Sequence, residues 1–141
     1  MTDKPPALLS VTSPAILELE DEVGPRRNDQ GEPIPAGAIL AELLATALQR
    51  EGWRVDYRWT TYSSNALDAR RGDNRYDVEV ALADRDAGRW TISAKRRVGL
   101  LKRVFSGRVD PAELLLLQRH IDLALAADER ITPVGAWEAE P

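Results

Sequence analysis

Cysteine is absent from the sequence, and histidine occurs once, as His120. Without thiols the chain forms no disulfide and offers neither a thiolate metal ligand nor a cysteine nucleophile. A single imidazole also falls short of the ligand sets that hold zinc. A Ser-His-Asp relay needs its histidine beside a serine nucleophile, but His120 is flanked by Arg119 and Ile121 and no nucleophile motif accompanies it. We therefore predict a non-enzymatic protein with no catalytic residues, no cofactor and no metal site.

Long apolar stretches are also missing. The longest candidate, LLLLQRHIDLALAA, is interrupted by Gln118, Arg119, His120 and Asp122, and it stays below the roughly 20 apolar residues that a membrane-spanning helix needs. The N-terminal sequence MTDKPPALLSVTSP lacks the basic region and continuous apolar core that mark a signal peptide. These absences predict a cytoplasmic protein with no membrane partner.

The composition is typical of a soluble globular protein, with 43% apolar and 30% charged residues in a chain of 141. Because the net charge is −4, any attraction to nucleic acid or to an anionic membrane has to be local. Residues 1–14 contain three prolines and few core-forming side chains. We predict a flexible N-terminal lead over 1–14 and a single α+β domain over 15–138.

Apolar side chains at three- and four-residue spacing predict a helix over 36–51, with Gly52 placed to end it. Before it, AILELE at 15–20 predicts a short strand, and the polar, Gly- and Pro-rich residues 21–35 predict a loop. A second helix is predicted from Asp110 to about Ala127, because DPAE supplies a capping residue, a first-turn proline and an acid that can complete a capping box.

Between these helices the pattern changes to period two. Apolar and polar residues alternate in WRVDYRW (53–59), again over 76–82 and again over 90–95, which predicts three half-buried strands. DRDAG (84–88) predicts a hairpin loop between the last two strands, and residues 60–74 predict a polar connection between the first two. The three strands should form an antiparallel meander.

A final strand is predicted within ITPVGAW (131–137), and Pro133 would confine it to a sheet edge. The expected fold is α+β: a two-layer sandwich of a three- to five-stranded antiparallel sheet with two helices on one face.

Period-two alternation places Arg54, Asp56 and Arg58 on the polar side of the first strand. The same side should carry Asp77 and Glu79 of the second strand. On the third strand it should carry Thr91, Ser93 and Lys95. The set Asp77, Glu79 and Lys95 resembles the arrangement of metal-dependent nucleases, in which acids hold a divalent ion and a lysine stabilises developing charge. The restriction-endonuclease-like pattern wants an acid two residues before the lysine, where this chain has Ser93. A degenerate nuclease is therefore one alternative, and cross-strand ion pairing on a water-facing sheet is the other.

Positive charge is concentrated in RWTISAKRRVGLLKRVFSGR (89–108), which has seven basic residues and no acid. Phosphate binding needs several lysines or arginines on one surface, so residues 95–108 make a nucleic-acid-binding protein a further alternative. Against it, the domain as a whole is acidic, and Phe105 is the only aromatic residue in the densest part of this stretch.

Two family resemblances follow from these elements. The helix–three strands–helix order, the acidic balance and the length resemble type III secretion chaperones, which implies a non-enzymatic binder, often dimeric, that holds an extended segment of its partner. The stretches GWRVDYRW, RWTI and QRHIDLALAADERITPVGAW, within residues 36–138, are similar to small bacterial α+β proteins that include immunity proteins of polymorphic-toxin systems. That second resemblance implies occlusion of a toxin's active site.

The leading hypothesis is a bacterial protein-binding module of immunity-protein or secretion-chaperone type that recognises an acidic protein partner by charge and shape complementarity. The sequence leaves the oligomeric state open, a dimer included. The residues expected to contact the partner are Arg54, Asp56, Arg58, Tyr62, Lys95, Arg96, Arg97, Lys102, Arg103 and Arg108.

Overall fold

The computed structural model describes residues 6–59, 64–97 and 111–139, and a six-stranded antiparallel sheet organises them. The elements in chain order are β1 (Leu8–Thr12), α1 (Pro14–Val23), β2 (Arg26–Arg27), β3 (Pro33–Ile34), α2 (Ala38–Arg50), β4 (Arg54–Trp59), β5 (Ser64–Arg71), β6 (Asn74–Asp84), β7 (Arg89–Arg97), α3 (Ala112–Ala126) and β8 (Thr132–Pro133).

The strand order across the sheet is β4-β5-β6-β7-β1-β8, and β2 pairs with β3 in a separate two-stranded ribbon. Every pair of neighbours is antiparallel. The α+β class and the antiparallel sheet are confirmed. The predicted three-stranded meander is wrong in one neighbour, because β5 lies between β4 and β6. The described residues contain a sheet of six strands and three helices, however, so the predicted three to five strands and two helices were too few.

The polar connection predicted over 60–74 is wrong from Ser64 to Arg71, which form β5. On one side β5 carries Leu67 and Ala69, and on the other it carries Ala66 and Asp68, and all four are buried. Small side chains suffice here because β4 and β6 flank the strand on both edges. Too few large apolar residues were present for the alternation to stand out.

The strand predicted at 15–20 is wrong, because these residues belong to α1. The Ser13 hydroxyl accepts a hydrogen bond from the Ile16 N–H at 3.3 Å, and Pro14 occupies the first turn, where its missing N–H costs nothing. The buried residues Ile16, Leu17 and Glu20 then follow helical spacing. This N-terminal helix signal outweighs the short alternation in AILELE.

Residues 8–12, expected to belong to a flexible lead, form β1 inside the sheet. Leu9 stands opposite Ile92 and Val11 stands opposite Trp90, and all four side chains are buried. The prediction of a loose start is therefore wrong over this strand, whose alternation of five residues is short but is completed by β7 and β8.

Both predicted helices are confirmed, with α2 and α3 slightly shorter than expected, and Gly52 follows α2 with a φ of +91°. The three helices bury their apolar side chains against one face of the sheet, in a cluster that includes Leu44, Leu67, Ile92 and Leu117. Asp110, the expected cap of α3, lies outside the described residues. The carboxylate of Glu113 accepts a hydrogen bond from the Tyr76 hydroxyl at 2.8 Å, which ties the start of α3 to the sheet.

Polar contacts also fix the start of α2. The Glu20 carboxylate of α1 accepts the Ile39 N–H at 2.7 Å, so a distant acid satisfies a donor that Gly37 leaves open. The buried Asn65 of β5 donates to the carbonyl oxygen of Pro35 at 2.9 Å. Gly37 has a φ of +123°, and a Cβ there would lie 3.1 Å from the Asn65 amide nitrogen, so only glycine suits this position.

The last strand, β8, covers only Thr132–Pro133 of the predicted 131–137, and it lies at the sheet edge beside β1, as Pro133 indicated. In the part of the chain that the structure describes, no helix is both long enough and apolar enough to cross a membrane.

Candidate functional site

The polar side chains of β4, β5, β6 and β7 lie on the sheet face opposite the helix-covered cluster, and the pairing register aligns them in rows across the strands. We call this surface the polar face. Its arginine row consists of Arg54, Arg70, Arg75 and Arg97. A second row lies two residues further along each strand, and we call it the aspartate row because three of its four members are aspartates. It consists of Asp56, Asp68, Asp77 and Lys95.

Two ion pairs join the rows diagonally between neighbouring strands. Arg70 of β5 donates to Asp56 of β4, with 2.5 Å between Nη2 and Oδ2. Arg97 of β7 donates from both Nη2 and Nε to the two carboxylate oxygens of Asp77 on β6. Exposed pairs of this kind contribute about 0–1 kcal/mol to stability. Their main consequence is that the guanidinium groups are held in fixed positions.

Asp68 lies at the centre of this arrangement and is almost fully buried, with 6% of its surface exposed. Its Oδ2 lies 3.9 Å from Nε of Arg70, and its Oδ1 lies 4.0 Å from Nη1 of Arg97. In the described residues no donor reaches hydrogen-bond distance of Oδ1. A buried carboxylate is costly unless cations compensate it, so Asp68 favours the positions that Arg70 and Arg97 occupy.

The predicted contact residues are brought together only in part. Arg54, Asp56, Lys95 and Arg97 share the polar face. Arg96 lies on the other face, in register with Tyr76, and its Nη2 donates to Asn74 Oδ1 at 3.0 Å. Strand alternation therefore divides the basic stretch between the two faces.

The remaining predicted contacts fall outside what the structure describes. Arg58 has a backbone position opposite Ala66, which places it in register with the polar face, but its side chain is not among the described groups. Four further predicted contacts lie outside the described residues: Tyr62, Lys102, Arg103 and Arg108.

Sequence reasoning missed Asp68, Arg70 and Arg75 as members of the face. The signal was the pattern A-L-D-A-R from residue 66 to residue 70, in which Leu67 and Ala69 alternate with Asp68 and Arg70. That pattern has period two, but it was obscured by the polar residues on either side of it.

The residues of the nuclease alternative are close in the register. Asp77 stands opposite Lys95, and Glu79 stands opposite Ser93. Asp77 is already engaged by Arg97, so a divalent ion would have to compete with a guanidinium for this carboxylate. Among the described residues, no three acidic or imidazole side chains are grouped in a way that could hold a metal ion.

His120 belongs to a separate cluster on the helix side. Its Nδ1 accepts a hydrogen bond from the Trp53 indole N–H at 2.9 Å, and its Nε2 lies 3.6 Å from the Glu51 carboxylate. The Arg71 guanidinium lies over the Trp53 ring, 5.1 Å from its centroid. These contacts join α3 to the start of β4, and they engage both ring nitrogens in structural interactions.

A cavity of about 280 Å³ lies between the end of α1 and the β2–β3 ribbon, and a shallow groove of about 440 Å³ lies between α2 and α3. Both are lined by mixed charges. In the cavity, Arg85 binds Asp21 at 2.9 Å, and Glu20 is held by the backbone of α2. In the groove, Arg130 binds Asp128 at 2.6 Å, and this hydrogen-bonded guanidinium lowers the pKa of the Asp128 carboxyl.

In comparisons with known proteins, no family model, no curated protein and no solved structure matches this chain. The polar face, with its two charged rows, is the candidate functional site.

Proposed function

We propose that the chain is a non-enzymatic protein-binding module whose polar face contacts an oppositely charged protein partner. The observation that supports it is the pair of charged rows, in which arginines and aspartates of four strands are aligned and ion-paired before any partner arrives. Side chains held in place before binding lose less conformational freedom on binding, which favours affinity and specificity.

The charge balance of the face supports an acidic partner. Its two rows and Glu79 carry five basic and four acidic side chains, in a chain whose net charge is −4. Its exposed side chains are three basic residues, Arg54, Arg75 and Lys95, and two acidic residues, Asp56 and Glu79. Charges at the rim of an interface steer the encounter and select the partner more than they add affinity. An acidic surface would therefore be drawn to this face in preference to the rest of the molecule.

The proposed class is a bacterial, cytoplasmic binder of immunity-protein or secretion-chaperone type. Along the chain, four strands lie between α2 and α3, and the N-terminal strand β1 belongs to the same sheet. The resemblance to secretion chaperones depended on a helix–three strands–helix order, which this element order does not match. We therefore favour the immunity-protein type, in which a rigid charged face covers a partner's functional surface.

A charge-reversal pair tests the proposal. Arg54→Glu combined with Lys95→Glu changes two exposed positions of the polar face, and Arg50→Glu combined with Arg119→Glu makes the same change of net charge on the exposed sides of α2 and α3. We expect the wild type and the helix variant to retain the same partner protein. The polar-face variant should bind that partner more weakly, by a factor of roughly ten or more. The readout is capture from the source cells, followed by calorimetry with the purified partner. Equal binding by all three would contradict the proposal.

The arginine row favours nucleic acid as the second candidate, since four guanidinium groups in line suit a phosphate backbone. Retention of the wild type on DNA, with an affinity that falls steeply with salt and with no protein partner recovered, would replace the first proposal by this one. Magnesium-dependent cleavage of DNA that Asp77→Ala abolishes would overturn both and support the nuclease alternative.

A further inference from the structure

Strand β4 is one edge of the sheet. In the described residues it pairs only with β5, while β5, β6, β7 and β1 each have two neighbours. The outer side of an edge strand presents backbone N–H and C=O groups that another extended strand can pair with. The charged residues Arg54, Asp56 and Arg58 on this strand discourage pairing with arbitrary strands, since a wrong register leaves like charges opposed.

The sequence of β4 is nonetheless complementary to itself. When V-D-Y-R-W, residues 55–59, is paired antiparallel with a second copy about Tyr57, Val55 stands opposite Trp59 of the second copy and Asp56 stands opposite Arg58. Opposite charges and aromatic–β-branched pairs directly across two strands are favourable. Both favourable pairs occur twice, because the arrangement has a two-fold axis.

The two adjacent registers that leave every side chain on its own face of the sheet are unfavourable. Centring the pair on Asp56 places two aspartates in contact, and centring it on Arg58 places two arginines in contact. A shift by one residue brings polar side chains to the apolar face. Centring the pair on Val55 opposes Arg54 to Asp56, but that register pairs only residues 54–56 of β4, whereas the register about Tyr57 pairs residues 55–59. Charge excludes the two adjacent registers, and the length of the paired stretch favours the one about Tyr57.

Burial at the edge agrees with this. On the helix-covered face, Val55 and Tyr57 are only half-buried, whereas Leu67 and Val78 on the next two strands are fully buried. Another strand beside β4 would extend the same apolar surface and cover the exposed sides of these two residues. The gain comes from removing apolar surface from water.

We infer that a second copy of this chain pairs with β4 in antiparallel orientation across a two-fold axis at Tyr57, which joins the two six-stranded sheets into one continuous sheet. The contact is isologous and closes on itself, so it forms dimers and no longer chains. Asp56 and Arg58 of this edge strand also belong to the polar face in register. The inference is nevertheless independent of the partner proposed above, because association of the chain with itself is measured with no other protein present.

Two charge variants test the register. In Asp56→Arg and in Arg58→Asp, each alone, like charges oppose each other twice across the axis. In a mixture of the two variants every such pair becomes opposite in sign. We expect sedimentation equilibrium to show a wild-type dimer, to show each variant alone as a monomer, and to show a one-to-one heterodimer in the mixture, with circular dichroism confirming that all of them are folded.

The matched control is Arg54→Asp, which makes the same charge change on β4 as Arg58→Asp. In the register about Tyr57, residue 54 stands opposite residue 60 of the second copy, beyond the end of β4. The Arg54→Asp variant should therefore remain dimeric. A wild-type chain that stays monomeric at the highest soluble concentration would overturn the inference. So would a mixture of the two variants that fails to associate while the wild type is dimeric, because the contact would then lie elsewhere.

A single cysteine gives an independent measurement, since the chain has none of its own. Directly opposed residues of antiparallel strands have Cα atoms about 4.5–5.5 Å apart, within the range that a disulfide bridges. Under mild oxidation Tyr57→Cys should form a covalent dimer, and Arg54→Cys should not. Cross-linking of Arg54→Cys instead of Tyr57→Cys would overturn the register.

Discussion

The two faces of the sheet are made by the same strands but are stabilised in different ways. On β5, Leu67 faces the helices and Asp68 faces the charged rows, and both are almost fully buried. Burial alone therefore does not distinguish a packed face from a candidate binding face. The chemistry of the contacts does: Leu67 packs in the apolar cluster, while Asp68 lies between two guanidinium groups.

The forces on the two faces differ in kind. On the helix-covered face the free energy of burial scales with the apolar area removed from water, at about 25 cal/mol per Å². This contribution does not depend on the exact orientation of the side chains. On the polar face each ion pair contributes little to stability but depends on position and charge. The first face should therefore control whether the chain folds, and the second should control what the folded chain recognises.

The largest effect is expected on the helix-covered face. Leu67→Ala should lower the free energy of unfolding by about 2–5 kcal/mol, because it removes a fully buried side chain and leaves a cavity that the sheet cannot close. Urea denaturation followed by circular dichroism measures it. A loss below about 1 kcal/mol would show that the cluster rearranges around the smaller residue and closes the cavity.

The next effect is expected at the centre of the polar face. Asp68→Ala should lower the free energy of unfolding by about 1–3 kcal/mol, because Arg70 and Arg97 lose a buried carboxylate between them. Asp68→Asn keeps the shape but removes the charge, so comparing the two variants in urea separates packing from electrostatics. If both variants match the wild type, Asp68 does not organise the rows.

At high pH the stability of the fold should depend on the ionisation of Tyr57, which lies at the edge of the helix-covered face. Burial, followed by the carboxylates of Glu42 and Glu20, raises the pKa of Tyr57 from 10.0 to about 12, and Arg26 opposes this shift. Unfolding restores the ordinary pKa, so the stabilisation is complete below pH 10 and is lost as the pH rises through about 12.

Ultraviolet absorbance titration should therefore show that Tyr57→Phe removes a late-ionising component from the wild-type curve. Stability should also fall less steeply in Tyr57→Phe than in the wild type between pH 10 and about pH 12. A wild-type titration without a late step would place the Tyr57 hydroxyl in water.

The smallest effect is expected at the exposed end of the aspartate row. Asp56→Ala should change the free energy of unfolding by about 0.2–1 kcal/mol, and salt should reduce the difference, because its partner Arg70 is only partly buried and Asp56 is exposed. Urea denaturation at low and high salt measures it. A loss as large as that of Asp68→Ala would mean that the rows act as one cooperative network.

Long, regular patterns were predictable from the sequence. Strands β4, β6 and β7 and helices α2 and α3 follow strong periods, and so the positions of Arg54, Asp56 and Lys95 on one face followed directly from alternation. Arg97 lies beyond the alternation over 90–95, and its place on this face was not predicted. Short or weakly apolar elements were not predictable. Strands β1 and β5 depend on neighbouring strands for their hydrogen bonds and burial, and nothing within their own residues requires them.

By itself the sequence determined the α+β class, the alternation that sorts side chains between the two faces, and the helical periods of α2 and α3. These properties depend on residues within a few positions of one another. Only the tertiary structure decided that β5 enters the sheet, that Asp68 lies buried between Arg70 and Arg97, and that Arg96 and Arg97 separate onto opposite faces. The physical reason is that register and burial belong to pairs of strands, and a single strand does not specify its neighbour.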